Sequence, residues 1–237
     1  MSRIDPSVGQ IVFLIGGAGT RLGDLTRATP KPLLPVAGRP FLEHLLRKAA
    51  RHGLERVLLL AGYRSEAVHL YLEQSGIASE LGLQIEVAVE REPLGTAGAL
   101  VYARRQLEPA FLLANGDTWF DLDWASFAAI GDWPVLMALR EVNRADRYET
   151  IVLERGRVAQ MRARDLFAGP ALINGGLYRI RAEALEGASA RSSLETDLLP
   201  LLCAAGQVGG AVFDAPFIDI GLPDTFCAAQ SLLSASA

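Results

Sequence analysis

Between Leu14 and Pro35 the chain reads LIGGAGTRLGDLTRATPKPLLP, which sets four glycines, an arginine and a proline-flanked lysine in one connection behind an apolar run. Gly16, Gly17, Gly19 and Gly23 leave backbone N–H groups open to phosphate oxygens, with no side chain in the way. Arg21 lies in the same connection. Lys31 stands between Pro30 and Pro32, whose rings restrict the local dihedral angles. A cation presented that rigidly suits a charge that grows only in a transition state. The spacing excludes the two common phosphate loops. No G-K-[ST] ending is present, and Leu22 occupies the third glycine site that a G-x-G-x-x-G fingerprint would need after Gly17 and Gly19.

Carboxylates supply the second set of candidates. Asp117 follows Gly116 at the end of the apolar run AFLLANGD, and Asp219 sits inside FIDIG, bracketed by Phe217, Ile218 and Ile220. Such oxygens hold Mg2+, and phosphoryl-type transfer favours two carboxylates on one ion; Asp117 and Asp219 are the expected pair. Asp121 and Asp123, in NGDTWFDLD, are expected to cap a helix or face solvent. His44, His52 and His69 lack metal-ligand spacing, which points to structural or exposed roles. Cys203 and Cys227 form no C-x-x-C pair and read as reduced thiols. No serine has the G-x-S-x-G setting of a hydrolase nucleophile.

These groups need a scaffold, and the hydrophobic pattern describes one. The chain has 237 residues, half of them hydrophobic and 21% charged, enough for a substantial core. A net charge of −4 leaves no basic footprint for nucleic acid. The segment MSRIDPSVGQ has no signal-peptide core, and no apolar run reaches the ~18 residues of a membrane span; a cytoplasmic location is expected. Gln10–Ile15 reads as a strand buried on both faces, Arg56–Gly62 as a second buried strand, and Leu83–Glu90 and Ala110–Asp117 as a third and a fourth strand. Helices are expected from Phe41 to Gly53, from Ser65 to Glu73 and from Thr96 to Leu107. That alternation predicts an α/β fold with a mostly parallel central sheet. Ligands of such sheets bind beyond the carboxyl ends of the strands, where the glycine loop, Glu90 and NGD all fall. In the second half PVLMALREV reads as a strand, ETIVLERGRVAQMRAR as a hairpin turning at Glu154 to Arg157, and ALINGGLYRI as a strand interrupted by Gly175 and Gly176. SLETDLLPLLCAAG starts like a helix capped by Ser193, with Pro200 against it. VGGAVFDAPFIDIG returns to strand, and Asp224 to Ser234 is helical.

GGAGTRL followed by PKPLLPVAGRP closely resembles the signature of sugar-1-phosphate nucleotidyltransferases. The likeness continues in order through EPLGTAGAL, NGD, INGGLY, SLETDLLP and FIDIG, nearly the whole chain. PLGTAGA with NGDTWFD looks most like the branch of D-glycero-α-D-manno-heptose-1-phosphate and mannose-1-phosphate guanylyltransferases. The resemblance implies a Rossmann-like nucleotide-diphospho-sugar transferase fold with helices on both faces of the sheet. A single domain is expected, with a nucleotide-binding half at about 8–140 and a sugar-phosphate-binding half at about 141–237. The implied reaction joins an NTP, GTP favoured, to a sugar-1-phosphate, the heptose favoured, and releases pyrophosphate; its product serves bacterial surface polysaccharides such as capsule and lipopolysaccharide.

By that likeness Arg21 grips the triphosphate and Lys31 neutralises charge at the reacting phosphorus. Leu14, Gly16, Gly17, Gly19, Thr20, Glu90, Gly95 and Thr96 fall to the nucleotide. Asn115, Arg164, Asn174, Gly175 and Glu195 fall to the sugar phosphate, and Asp117 with Asp219 to Mg2+. Glu90 is the expected base reader, because a carboxylate can accept from guanine's ring N–H and exocyclic amine together; the alternative is a surface pair with Arg91 or Arg64. The chain departs from its relatives at two places. Ile15 stands where they carry alanine, and MRARD replaces an EK pair, so that Arg164 or Arg162 must substitute for a lysine on the sugar phosphate. A phosphate monoester is largely dianionic near neutrality, its second pKa being about 6, so no general base is required; alignment and charge stabilisation suffice. The competing readings are a mannose-1-phosphate guanylyltransferase, a uridylyl- or thymidylyltransferase on another hexose-1-phosphate, a silent regulatory subunit that binds NDP-sugar, and a glycosyltransferase of similar fold, in which the PKP lysine is not expected. Partners are then small molecules, with no nucleic acid or membrane, and a homodimer is left open.

Overall fold

The computed structural model describes residues 8–146, 148–162 and 169–234. Strand β1 (Gln10–Leu14) sends Ile11 and Phe13 into one hydrophobic core and Val12 into the other. Burial on both faces is what a central strand needs. The connection after β1 contains a 3-10 turn at Thr20–Leu22, one turn of helix α1 (Leu25–Ala28), a second 3-10 turn at Lys31–Leu33, and a minimal hairpin of β2 (Pro35–Val36) and β3 (Arg39–Pro40). The hairpin turns on Ala37 and Gly38 at φ 48° and 79°, the positive angles that two-residue hairpins require. Gln230, near the end of the chain, clamps this turn: it accepts from the Ala37 N–H at 2.8 Å and donates to the Pro35 carbonyl at 3.0 Å.

Helix α2 (Phe41–Arg51) buries Phe41, Leu42, Leu45, Leu46 and Ala49 at helical spacing against the sheet. β4 (Arg56–Ala61) follows, then α3 (Ser65–Ser75), α4 (Ile77–Leu81), β5 (Gln84–Val89), α5 (Thr96–Tyr102) and β6 (Ala110–Asn115). The second half comprises β7 (Thr118–Phe120), α6 (Trp124–Ala128), β8 (Val135–Val142), the hairpin β9 (Thr150–Glu154) and β10 (Arg157–Arg162), β11 (Ala171–Arg181), α7 (Leu199–Ala204), β12 (Val208–Val212), β13 (Phe217–Asp219) and α8 (Pro223–Ser234). Nine strands form one sheet in the order β5-β4-β1-β6-β11-β8-β12-β10-β9. Strands β5, β4, β1 and β6 are parallel, as the alternation of strand and helix predicts. Beyond β6 the sheet is mixed: β11 runs antiparallel to β6 and β8, and β12 parallel to β8. Hairpin-length connections such as β9–β10 force antiparallel neighbours. The chain moves outward from β1 to β4 and β5 and then returns to β6 on the other side, so the crevice beyond β1 and β6 is a topological switch point.

Three elements differ from their sequence reading. VGGAVFDAPFIDIG is two strands in different sheets, because β12 joins the large sheet whereas β13 pairs antiparallel with β7. The helix opening at Thr96 stops at Tyr102 and yields to a 3-10 turn at Arg104–Gln106. The segment capped by Ser193, whose Oγ accepts from the Glu195 and Thr196 N–H groups, opens as a π-helical turn over Leu194–Leu198 before α7. Pro200 has no N–H to give the regular helical bond at that join. Among the described residues no helix is long and apolar enough to cross a membrane.

Candidate active site

The glycine segment after β1 is pinned between its neighbours. Ile15 N–H donates to the Leu60 carbonyl at 2.9 Å, Tyr63 N–H to Gly16 at 3.1 Å, and Gly116 N–H to Leu14 at 2.9 Å. A Cβ at Gly16 would stand 3.1 Å from Glu90 Oε1 and 3.3 Å from Gly62 N, whereas Gly17 faces open space. Here lies a compartment of about 630 Å³, lined by Leu14, Gly16, Gly17, Tyr63, Glu90, Gly95 and Thr96. A second compartment of about 590 Å³ is lined by Arg21, Asp146, Tyr148, Glu149, Asn174 and Asp219. Asn115, Asp117 and Glu195 border both. The two are one crevice with two lobes.

Strand pairing builds the charged centre between the lobes. β13 places Asp219 opposite Thr118, and the Ile220 N–H donates to the Asp117 carbonyl at 2.8 Å. Asp219 accepts from the Tyr148 hydroxyl at 2.7 Å and from the Gly221 N–H at 3.0 Å. A Cβ on Gly221 would lie 2.8 Å from Asp219 Oδ1, 3.4 Å from Arg21 Nη2 and 3.5 Å from Lys31 Nζ. One point is thus surrounded by an anion and two cations. Lys31 is buried, lines neither lobe, and donates to Asp117 Oδ2 at 2.5 Å; Thr118 donates to the other Asp117 oxygen at 2.9 Å. Burial alone would raise the Asp117 carboxyl, but Lys31, Thr118 and Arg21 together hold it below the usual carboxylate range. The ammonium of Lys31 is thus held against Asp117, which borders both lobes.

The nucleotidyl transferase family model matches residues 10–236. The chain belongs to the nucleotidyl transferase family. It is 30% identical over 218 residues to a D-glycero-alpha-D-manno-heptose 1-phosphate guanylyltransferase of Campylobacter jejuni, covering 92% of this chain and 96% of that one. It is 32% identical over 235 residues to the enzyme of that name from Aneurinibacillus thermoaerophilus, covering 94% and 98%. HddC from Yersinia pseudotuberculosis, solved also as a complex with GMP-PN, superposes with a TM-score of 0.85 at 29% identity, over 95% of this chain and 100% of that one.

In this nucleotidyltransferase Glu90 lies in the first lobe. Its Oε2 accepts from the Leu94 N–H at 3.2 Å, and Arg64 turns instead to the Ala28 carbonyl. Burial pushes the Glu90 carboxyl above its ordinary value, opposed only by the Leu94 bond. Thr96 donates to Glu195 Oε2 at 2.7 Å, and Ser193 to the same oxygen at 2.9 Å. Asn174 donates to the Tyr178 hydroxyl and accepts from Gly176 N–H.

Four expected positions sit elsewhere. Gly19, at φ 66°, packs against Thr26 and Lys31, where a Cβ would stand 3.0 and 3.2 Å away. It and the exposed Thr20 shape the turn that carries Arg21 and line neither lobe. A Cβ on Gly175 would meet the Phe120 ring at 2.6 Å, so this glycine serves packing, and Gly176 lines the second lobe instead. Arg162 is exposed and donates to Gln160 at 3.3 Å, away from both lobes, while Arg164 lies outside the described residues. Ile15 packs in the core and not in the first lobe. Asp123 caps α6 through the Ala125 and Ser126 N–H groups, and Asp121 instead pairs with the buried Lys48 at 2.9 Å. The sequence reading missed Tyr148, Asp146 and Glu149. They lie in an irregular segment with no spacing signal, and only the fold carries them to the second lobe.

Proposed function

We propose that this nucleotidyltransferase moves a nucleoside monophosphate from an NTP, preferentially GTP, to a sugar-1-phosphate, preferentially D-glycero-α-D-manno-heptose-1-phosphate. The convergence of Asp117, Asp219, Arg21 and Lys31 between two lobes carries the reading, because it puts the charge-handling groups where two phosphorylated substrates would meet. The names of the two guanylyltransferase relatives, each aligned over more than nine-tenths of this chain, support the choice of substrates. A phosphate oxygen of the sugar phosphate attacks the α-phosphorus of the NTP. The new P–O bond forms as the bond to pyrophosphate breaks, and pyrophosphate leaves with that electron pair. Arg21 orients the phosphates, and Lys31 with Asp117 sets the local charge. A nucleophile already dianionic loses no proton, so catalysis rests on alignment and charge stabilisation.

The donor set fits Mg2+. Asp117 and Asp219 offer hard oxygens, and a carboxylate has about four lone-pair sites, so the bonds to Lys31 and Thr118 leave acceptor capacity on Asp117. Among the described residues no group of three or more His, Cys, Asp or Glu is arranged to hold a metal ion by itself. That suits an ion held by one or two carboxylates plus substrate phosphates. When bound it would supply charge neutralisation at the phosphates. Glu90 would read guanine. A panel of five NTPs against heptose-, mannose- and glucose-1-phosphate, followed by pyrophosphate release, tests the assignment. Turnover is expected with GTP and the heptose; a preference for UTP or dTTP would remove the guanylyltransferase reading.

A further inference from the structure

The two lobes are stitched together by a hydrogen-bonded strip distinct from the charged centre between them. It begins at Glu90, whose Oε2 accepts from Leu94 N–H. The Leu94 carbonyl accepts from Ser192 N–H at 3.0 Å, and the Ser192 carbonyl accepts from Ala97 and Gly98 N–H groups, both at 3.0 Å. The segments approach so closely that a Cβ on Gly95 would stand 2.5 Å from the Ser192 oxygen. Thr96 closes the strip. Its hydroxyl accepts from Leu194 N–H at 2.7 Å and donates to Glu195 Oε2 at 2.7 Å. Glu195 borders both lobes, and both hydroxyl donors, Thr96 and Ser193, bond to Oε2. Oε1 is left to accept from a ligand hydroxyl.

We propose that Thr96 is a positioning residue that couples the two substrate lobes: it fixes Glu195 toward the sugar phosphate, and does so best when a nucleotide has ordered the loop from Glu90 to Thr96. The proposal rests on the reading of Glu195 as a sugar-phosphate contact. A purine held by Glu90 and the loop stiffens one end of the strip, and a carboxylate already oriented at the other end accepts a sugar hydroxyl with less ordering cost. Coupling of this kind is reciprocal, so either ligand strengthens the binding of the other by the same factor.

Calorimetry with a non-hydrolysable GTP analogue and the sugar-1-phosphate that gives pyrophosphate release measures that factor. In the wild-type protein the analogue should tighten sugar-phosphate binding on the order of 10-fold. In T96V, which keeps the shape but not the hydroxyl, the factor should fall to near one. Sugar-phosphate KM should rise by a larger factor than affinity for the analogue alone falls, a split that a general loss of structure would not give. T96S should restore the coupling. Equal coupling in wild type and T96V overturns the proposal, as does T96S behaving like T96V. E195A separates the two layers of inference. If it leaves sugar-phosphate affinity unchanged, the placement of Glu195 on the sugar side fails and the proposal with it. If it weakens that affinity while T96V retains coupling, only the role of Thr96 fails.

Discussion

An ionised Glu90 is an acceptor at both oxygens, and guanine presents two donors side by side, so protonation of this residue and recognition of GTP oppose each other. Burial raises the Glu90 carboxyl. Binding of guanine favours the charged form, so GTP affinity should weaken as pH falls through that raised value, earlier than an ordinary carboxylate would impose. Glu90→Gln removes this component. The ratio of GTP KM between variant and wild type should therefore be largest near neutrality and shrink as pH falls, with the gap to UTP or dTTP narrowed in the variant; a ratio independent of pH and an unchanged GTP preference would sink the base-reading role. The two crevice aspartates differ in another way. Asp117 neutralises a buried ammonium, whereas Asp219 is held by a hydroxyl and a backbone N–H. Both Asp117→Asn and Asp219→Asn should abolish pyrophosphate release. The first also removes the carboxylate that the buried Lys31 ammonium bonds, at a cost of about 2 kcal/mol for a charge-assisted bond, which lowers Tm by about 4–8 °C in a chain of this size. Because the Asp117 carboxyl titrates below its unfolded value, its contribution is full above the ordinary carboxylate range and is lost as pH falls through the depressed value. Equal melting temperatures for the two variants would show that Lys31 does not depend on Asp117.

The two-stranded ribbon β7–β13 is the element that makes the centre, since it sets Asp219 opposite Thr118 and beside Asp117. Gly221 lies two residues beyond Asp219, and a methyl there would crowd Asp219 Oδ1 at 2.8 Å while touching Arg21 and Lys31. Gly221→Ala should lower kcat on the order of 100-fold, the effect of an ångström-scale misplacement of reacting groups, while Tm moves little because the change is a local one. Retained kcat would mean the charged groups tolerate displacement. None of this was legible in FIDIG itself. The apolar runs of β1, β4 and β6 announce themselves because these parallel strands are buried on both faces and glycines follow them, whereas β5, at the sheet edge, alternates exposed and covered residues. A strand of three residues has no periodicity to read, and its partner lies almost a hundred positions earlier in the chain. The acids, the lysine and the arginine were visible as residue types beside glycine and proline. Their mutual distances, and the diversion of Gly19, Thr20 and Gly175 to packing, depend on neighbours that only the assembled turns and ribbon supply.

Across the whole molecule the two halves of the chain share one sheet, with β11 of the second half running antiparallel between β6 and β8. Each face of that sheet is covered by a core drawn from both halves. Thermal unfolding should accordingly be one transition, with calorimetric and circular-dichroism midpoints that coincide; two separated transitions would mean the halves fold as independent units. The end of the chain belongs to the same unit. Gln230 of α8 grips the β2–β3 turn at Ala37 and Pro35, only a few residues past Lys31. The backbone at Ala37 holds a left-handed angle that a residue with a side chain adopts reluctantly. A protease nicking the chain ahead of α8 would remove no group that lines the crevice, yet it would release that turn and loosen the segment that delivers the lysine. Cleavage at the margin would then extinguish the enzyme from a distance, with inactivation keeping pace with the cut.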